Sequence, residues 1–319
     1  MSYDENQHLP TGPRRSRRGL VAVAALVPVG LAGWLIWQGA GGDGAPGPAA
    51  ASTPSSAGKP GDTGPTASAS PSASPSGSPS ASATRSAAPE GPGGKGPLTG
   101  KVVVVDPGHN PGNFRHPSEI NKLVDIGTNR KECDTTGTAT ADGYREADFT
   151  LDVSRRLRTL LEKQGARVEF THESDRPFGP CIDERARFGN EAKADAVISV
   201  HADGSATGNR GFHVILPALV KGGAADTSKI VGPSRDLGER IAGHFLRATG
   251  SAPSNYVGGG TGLDERKDLG GLNLSTVPKV FIECGNMRDP KDAALLTSPG
   301  WRQKAAQGMA DGIGSYLGK

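Results

Sequence analysis

Between residues 98 and 319 the chain alternates two hydrophobic patterns. Short apolar runs, VVVV at 102–105, AVISV at 196–200 and VFI at 280–282, are bounded by turn or charged residues. Such runs predict strands covered on both faces, as in a parallel sheet. Elsewhere apolar residues recur three and four apart. Over Glu146–Gly165, Phe149, Val153, Leu157, Leu160 and Leu161 share one stripe and Gly165 stops it, which predicts a helix. The same periodicities predict helices over Asp183–Lys193, Ser234–Thr249 and Trp301–Leu317. They predict strands over Lys101–Asp106, Arg167–Thr171, Ala196–Val200, Gly211–Leu216 and Lys279–Glu283. Strands alternating with helices predict a three-layer α/β domain, a mostly parallel twisted sheet with helices on both faces. Asn110–Arg145 shows neither period and is too long for an ordinary connection, so it reads as a functional or binding loop.

The N-terminal part fits neither pattern. Gly19–Trp37 carries no charge and, as a helix, would span roughly 28 Å, about one hydrocarbon core. Arg14, Arg15, Arg17 and Arg18 precede it, so residues 1–18 read as a basic cytoplasmic tail. Residues 19–37 read as a transmembrane anchor or as an export signal, since Ser16–Val21 resembles a twin-arginine signal. Both readings place residues 38–319 outside the cytoplasm. From Gln38 to Pro97 there is no Val, Ile, Leu, Met, Phe, Trp or Tyr. A segment with so little to bury cannot offset the entropy of ordering, so 38–97 reads as a disordered linker. Residues 98–319 then form one globular domain.

Charge narrows the function. The chain carries a net +3, of which the four N-terminal arginines hold the larger part, leaving the domain nearly neutral. A neutral domain lacks the basic footprint of a nucleic-acid binder. Outside the cytoplasm three cysteines suggest one disulfide and one leftover thiol. Cys284 sits in the apolar run VPKVFIECG, whereas Cys133 and Cys181 lie in polar, loop-like sequence, which favours a Cys133–Cys181 bond. No two cysteines have the spacing of a zinc–thiolate site.

Candidate chemistry collects at strand ends. VVVVD runs to His109, AVISV to His201 and KVFI to Glu283, while Glu146 opens the helix after the long loop. In open α/β sheets ligands bind at the carboxyl ends of strands. Two histidines and a glutamate make a three-ligand set for catalytic zinc with a position open for water, and a further carboxylate can act as general base. Each residue also has a plainer reading. Glu146 is a favourable charge in a helix's first turn, and His109 and His201 could be polar loop residues. Glu283 is hardest to dismiss, because a carboxylate ending an apolar strand needs a partner. Spacing alone leaves their convergence open.

These residues carry a resemblance. VVVVDPGHNPG, READFTLDVSRRLRTLLEKQGARVEFTH, ERARFGNEAKADAVISVHAD and LSTVPKVFIECGNMRDPKDAALL together resemble the zinc-dependent N-acetylmuramoyl-L-alanine amidases of the Amidase_3 type, over Lys101–Gly318 and in the family's order. The resemblance implies His109, Glu146 and His201 as ligands of Zn2+ and Glu283 as the catalytic general base. It implies a peptidoglycan substrate, with hydrolysis of the amide joining muramic acid to L-alanine of the stem peptide, in wall remodelling or daughter-cell separation. The expectation is a monomer at the cell wall, and the N-terminal reading has it tethered through residues 19–37, or secreted if that segment is cleaved. The long loop with Cys133 most resembles actinobacterial members with a cysteine pair. Asp203 departs from the usual Asn after His-Ala, and His172 stands where a Thr-Arg pair is common. His116, His213 and His244 read as structural. Rival readings are weaker. A stem-peptide carboxypeptidase commonly pairs H-x-x-E, but Gly112 stands three residues after His109. An inactive wall-binding module would typically have lost one of the four residues, and a serine hydrolase would need a G-x-S-x-G elbow.

Overall fold

The computed structural model describes residues 95–318. The expected tail, the apolar segment 19–37 and the linker up to residue 94 lie outside the described residues. Among the described residues no helix is long and apolar enough to cross a membrane. In chain order the elements are β1 (Val102–Pro107), α1 (Pro117–Ile120), β2 (Leu123–Asp125), β3 (Arg130–Glu132), α2 (Glu146–Lys163), β4 (Arg167–Phe170), α3 (Ile182–Glu191), β5 (Ala196–Asp203), β6 (His213–Pro217), β7 (Lys221–Gly222), β8 (Ala225–Asp226), α4 (Val231–Thr249), β9 (Leu263–Arg266), α5 (Gly270–Asn273), β10 (Lys279–Asn286), α6 (Pro290–Leu296) and α7 (Pro299–Leu317).

Six strands form one sheet in the order β4-β1-β5-β10-β6-β9. All neighbours are parallel except β10 and β6, which are antiparallel. The chain leaves β1 for β4 on one side and reaches β5 on the other, so a crevice opens between the carboxyl ends of β1 and β5, where such sheets bind ligands. The α/β reading therefore holds, with corrections. Asn110–Arg145 is not structureless, since it contains α1 and the β2–β3 hairpin. Those strands have three residues each, too few to show a period. β9 also escapes the periodicity, because LDER is mostly polar yet pairs with β6 at the sheet edge. β5 and β10 run beyond their expected ends to Asp203 and Asn286, because each continues the other's ladder, with a register shift after Glu283. β1 runs one residue past its expected end, to Pro107.

The two sheet faces differ sharply. One is apolar, with Val103, Val105, Ile198, Val200, Val214, Leu216, Val280 and Ile282 packed against α2, α4 and α7. α4 and α7 lie unusually close, because a Cβ at Gly312 would come 2.6 Å from the Ile241 Cα and one at Gly308 would come 2.7 Å from the Phe245 Cα. The other face carries polar residues, centred on the fully buried Asp106. Its Oδ1 accepts from Arg185 Nη1 and from Thr171 Oγ1, both at 2.7 Å. Its Oδ2 accepts from Ser199 Oγ at 2.7 Å and from Lys279 Nζ at 3.2 Å. Burial alone would raise this carboxyl's pKa, but the charges of Lys279 and Arg185 and the two hydroxyls hold it well below the usual carboxylate range.

Two substitutions probe these faces. Gly312→Ala forces α4 from α7 and should cost about 1–3 kcal/mol, read as a lower urea midpoint. Asp106→Asn leaves two cations buried with weaker partners and should cost about 3–5 kcal/mol at pH 7. Because the folded carboxyl is depressed, its contribution is full above about pH 4 and fades as pH falls toward the folded pKa, so the gap between variant and wild type should narrow in acid.

Candidate metal centre

His109 comes just after β1 with φ of 61°, a left-handed conformation rare for a residue with a side chain. Its neighbours hold it there. Gly108 N donates to Val200 O at 2.9 Å, and Thr150 Oγ1 on α2 donates to Gly108 O at 2.7 Å. A Cβ at Gly108 would lie 2.3 Å from the His201 ring, so only glycine lets β1 end this close to β5.

Glu146 is the first residue of α2 and is buried. Oε2 lies 3.2 Å from His109 Nε2 and accepts from Thr138 N at 3.0 Å. Oε1 lies 3.0 Å from His201 Nδ1 and accepts from Ala202 N at 3.2 Å. His201, within β5, stacks on Phe281 with centroids 5.3 Å apart and meets the His109 ring edge-on at 5.0 Å. Glu146 thus stands in the first turn of α2 and beside both histidines at once. Burial favours a neutral Glu146, yet His109 and His201 hold its carboxyl well below the usual range. Burial likewise favours neutral His109, but the facing Glu146 and Asp134 push its pKa up.

One candidate ligand atom from each of His109, Glu146 and His201 falls within a common 4.8 Å. Two imidazoles and a carboxylate are a donor set suited to zinc, and ligand atoms about 2.1 Å from one tetrahedral ion stand roughly 3.4 Å apart. Each histidine stands close to this distance from one oxygen of Glu146, His201 Nδ1 at 3.0 Å from Oε1 and His109 Nε2 at 3.2 Å from Oε2. These side chains line a cavity of about 280 Å3 together with Glu283, Phe281 and Arg266. Glu283 sits on β10 beside His201 in the parallel ladder and opposite His213 in the antiparallel one. Its Oε2 is buried without a hydrogen-bond partner, the kind of orphan that calls for a ligand, ion or water. Burial, then the charges of Glu146 and Asp203, push its pKa well up. A second cavity of about 230 Å3 adjoins His109 and His201, with Lys131, Asp134, Ile182 and Leu269 among its walls.

Of the residues singled out in the sequence, His109, Glu146, His201 and Glu283 come together. Cys133 and Cys181 form a disulfide, and Cys284 is free, buried, and has its thiol pKa pushed up by that burial. His116 packs on Phe178 in the loop, outside both cavities. His172 donates through Nε2 to Pro107 O at 3.0 Å, so it supports the end of β1. Asp203 accepts from Tyr256 OH at 2.7 Å. Sequence reasoning missed Asp134, Thr135, Phe281 and the Asp106–Lys279–Arg185 cluster. The last had a signal: a lysine and an aspartate each set in a buried apolar run need one another.

Comparison with known proteins agrees. The model of the Amidase_3 family, described as N-acetylmuramoyl-L-alanine amidase, matches residues 103–315. N-acetylmuramoyl-L-alanine amidase Rv3717 of Mycobacterium tuberculosis is 38% identical over 221 residues, covering 69% of this chain and 88% of that protein. The crystal structure of the N-acetylmuramyl-L-alanine amidase Ami1 from Mycobacterium smegmatis is similar at 39% identity and a TM-score of 0.63, covering 69% of this chain and 98% of that one. Ami1 from Mycobacterium abscessus, in its apo form, matches at 40% identity and a TM-score of 0.63, covering 69% of this chain and all of that one. A mostly parallel sheet with this polar cluster at its switch point, and relatives so named, lead to one assignment: the chain belongs to the Amidase_3 family and is an N-acetylmuramoyl-L-alanine amidase, a hydrolase of peptidoglycan.

Proposed function

We propose that residues 98–319 form a zinc amidase domain in which His109, Glu146 and His201 hold the ion and Glu283 is the general base. The observation that carries this reading is the buried, partnerless Glu283 Oε2 on the cavity that the His-Glu-His cluster lines. A zinc ion held there would supply Lewis acidity for the scissile carbonyl and acidify a water. Glu283 Oε2 takes the proton of the attacking water and passes it to the nitrogen of L-alanine as the amide breaks. The lactyl carboxylate of muramic acid and the free amine of the stem peptide are the products. Burial and the neighbouring charges of Glu146 and Asp203 raise Glu283's proton affinity, the direction that favours taking up a proton. Phe281 fixes the plane of His201, and the two cavities meeting at His109 and His201 leave room for a substrate that extends on both sides of the bond.

The domain acts outside the cytoplasm as a monomer, at the wall. Residues 19–37 serve as anchor or as cleaved export signal behind the basic tail 1–18. Residues 38–97 are the tether between that segment and the domain.

Digestion of muropeptides, with mass analysis of the products, should release intact stem peptides with a free L-alanine amine. Products cut within the peptide or the glycan would contradict the assignment. Glu283→Gln should lower kcat by about 10²–10⁴-fold while zinc content is retained. Full activity with zinc bound would remove Glu283 from the role. His109 must shed its proton before it ligates, and its proton affinity is raised in the ion-free site. Zinc affinity should therefore fall about tenfold for each unit of pH below that raised pKa, measured by chelator competition. A flat profile from pH 5 to 8 would contradict it.

A further inference from the structure

His109 presents Nε2 to Glu146, and its other nitrogen faces the long loop. Nδ1 lies 3.1 Å from Thr135 O and 3.2 Å from Thr135 Oγ1. A carbonyl only accepts, so Nδ1 must carry the hydrogen, which leaves the Nε2 lone pair for an ion. Thr135 O also accepts from Asn113 Nδ2 at 2.7 Å. Asp134 aims this carbonyl. Its Oδ1 accepts from Thr135 N at 2.8 Å and stands 3.5 Å from His109 Nδ1. Its Oδ2 pairs with Arg185 Nη2 at 2.9 Å. Cys133, one residue earlier, is bonded to Cys181, directly before α3, and its carbonyl accepts from Ile182 N at 2.7 Å. The start of the helix that carries Arg185 thus grips residues 133–135 in three ways, by the disulfide, by the Ile182 hydrogen bond and by a buried ion pair. Arg185 Nη2 also donates to His109 O at 3.1 Å, so the same side chain holds both sides of the contact.

We propose that Cys133–Asp134–Thr135 is a clamp that sets the tautomer and orientation of His109, with Asp134 as its positioning residue and the disulfide as its anchor. The clamp makes metal affinity depend on a bond that closes a loop of 48 residues. This inference rests on His109 being a metal ligand. Outer partners of a ligating histidine orient the ring and raise its basicity, and their removal commonly costs 10–100-fold in affinity.

The test measures zinc affinity of the full chain by competition with a chromophoric chelator. The set is wild type, Asp134→Asn, Asp134→Ala, Cys133→Ser with Cys181→Ser, and His109→Ala as the reference. Asp134→Ala and the double serine variant should each bind zinc 10–100-fold more weakly than wild type, with Asp134→Asn between. Combining the serine pair with Asp134→Ala should cost less than the product of the separate losses, because both act through Thr135. In zinc-saturated protein the His109 Nδ1 proton should be protected in wild type and exchange faster in Asp134→Ala. If Asp134→Ala fails to fold, Asp134→Asn with the same two readouts decides. Affinities within twofold of wild type and an unchanged His109 proton would overturn the clamp while leaving the metal reading intact. Wild type binding zinc no better than His109→Ala would overturn both.

Discussion

Asp106 is the group around which this domain is assembled. One carboxylate at the end of β1 receives hydrogen bonds from Thr171 just after β4, Ser199 on β5, Lys279 on β10 and Arg185 on α3. In a low-dielectric interior such a group is costly unless all its partners are present, and with them present it discriminates strongly against misalignment. Strands β4, β1, β5 and β10 and the helix above them are consequently held in one register three residues before His109. Arg185 extends the network outward to Asp134 and to the carbonyl of His109.

That anchor explains the division of labour between the sheet faces. The apolar face, under α2, α4 and α7, supplies the bulk of the hydrophobic burial and includes the close glycine-mediated contact of α4 with α7. The polar face is thus free to carry groups that burial disfavours. Glu146 joins the two, since α2 buries Phe149, Val153, Leu157 and Leu161 in the apolar layer while its first residue reaches over the strand ends to both histidines. A residue at a helix start is held by the helix it begins, which suits a metal ligand better than a loop position does.

The core of the site was legible in sequence because its residues stand where an apolar run stops or a helix begins. Runs of valine and isoleucine marked β1, β5 and β10, and a polar residue after each marked a place with chemistry. Residues acting through irregular backbone were not legible. Asp134 and Thr135 lie in a stretch without period, and their role depends on the disulfide and on Arg185, which is distant in sequence. Phe281 looked like core, and only its stacking on His201 gives it a part in the site. The antiparallel turn of β6 was hidden as well, since an apolar run has the same period in either direction.

By itself the sequence determined the alternation of strands and helices, the four chemical groups and the cysteine pair, because hydrophobic period and side-chain chemistry are local properties of a chain. Tertiary structure alone decided that His109, Glu146 and His201 bring candidate ligand atoms within 4.8 Å of one another and that Glu283 lines the same cavity. Convergence of residues 37 to 174 positions apart is a matter of strand order and register, which no local pattern encodes.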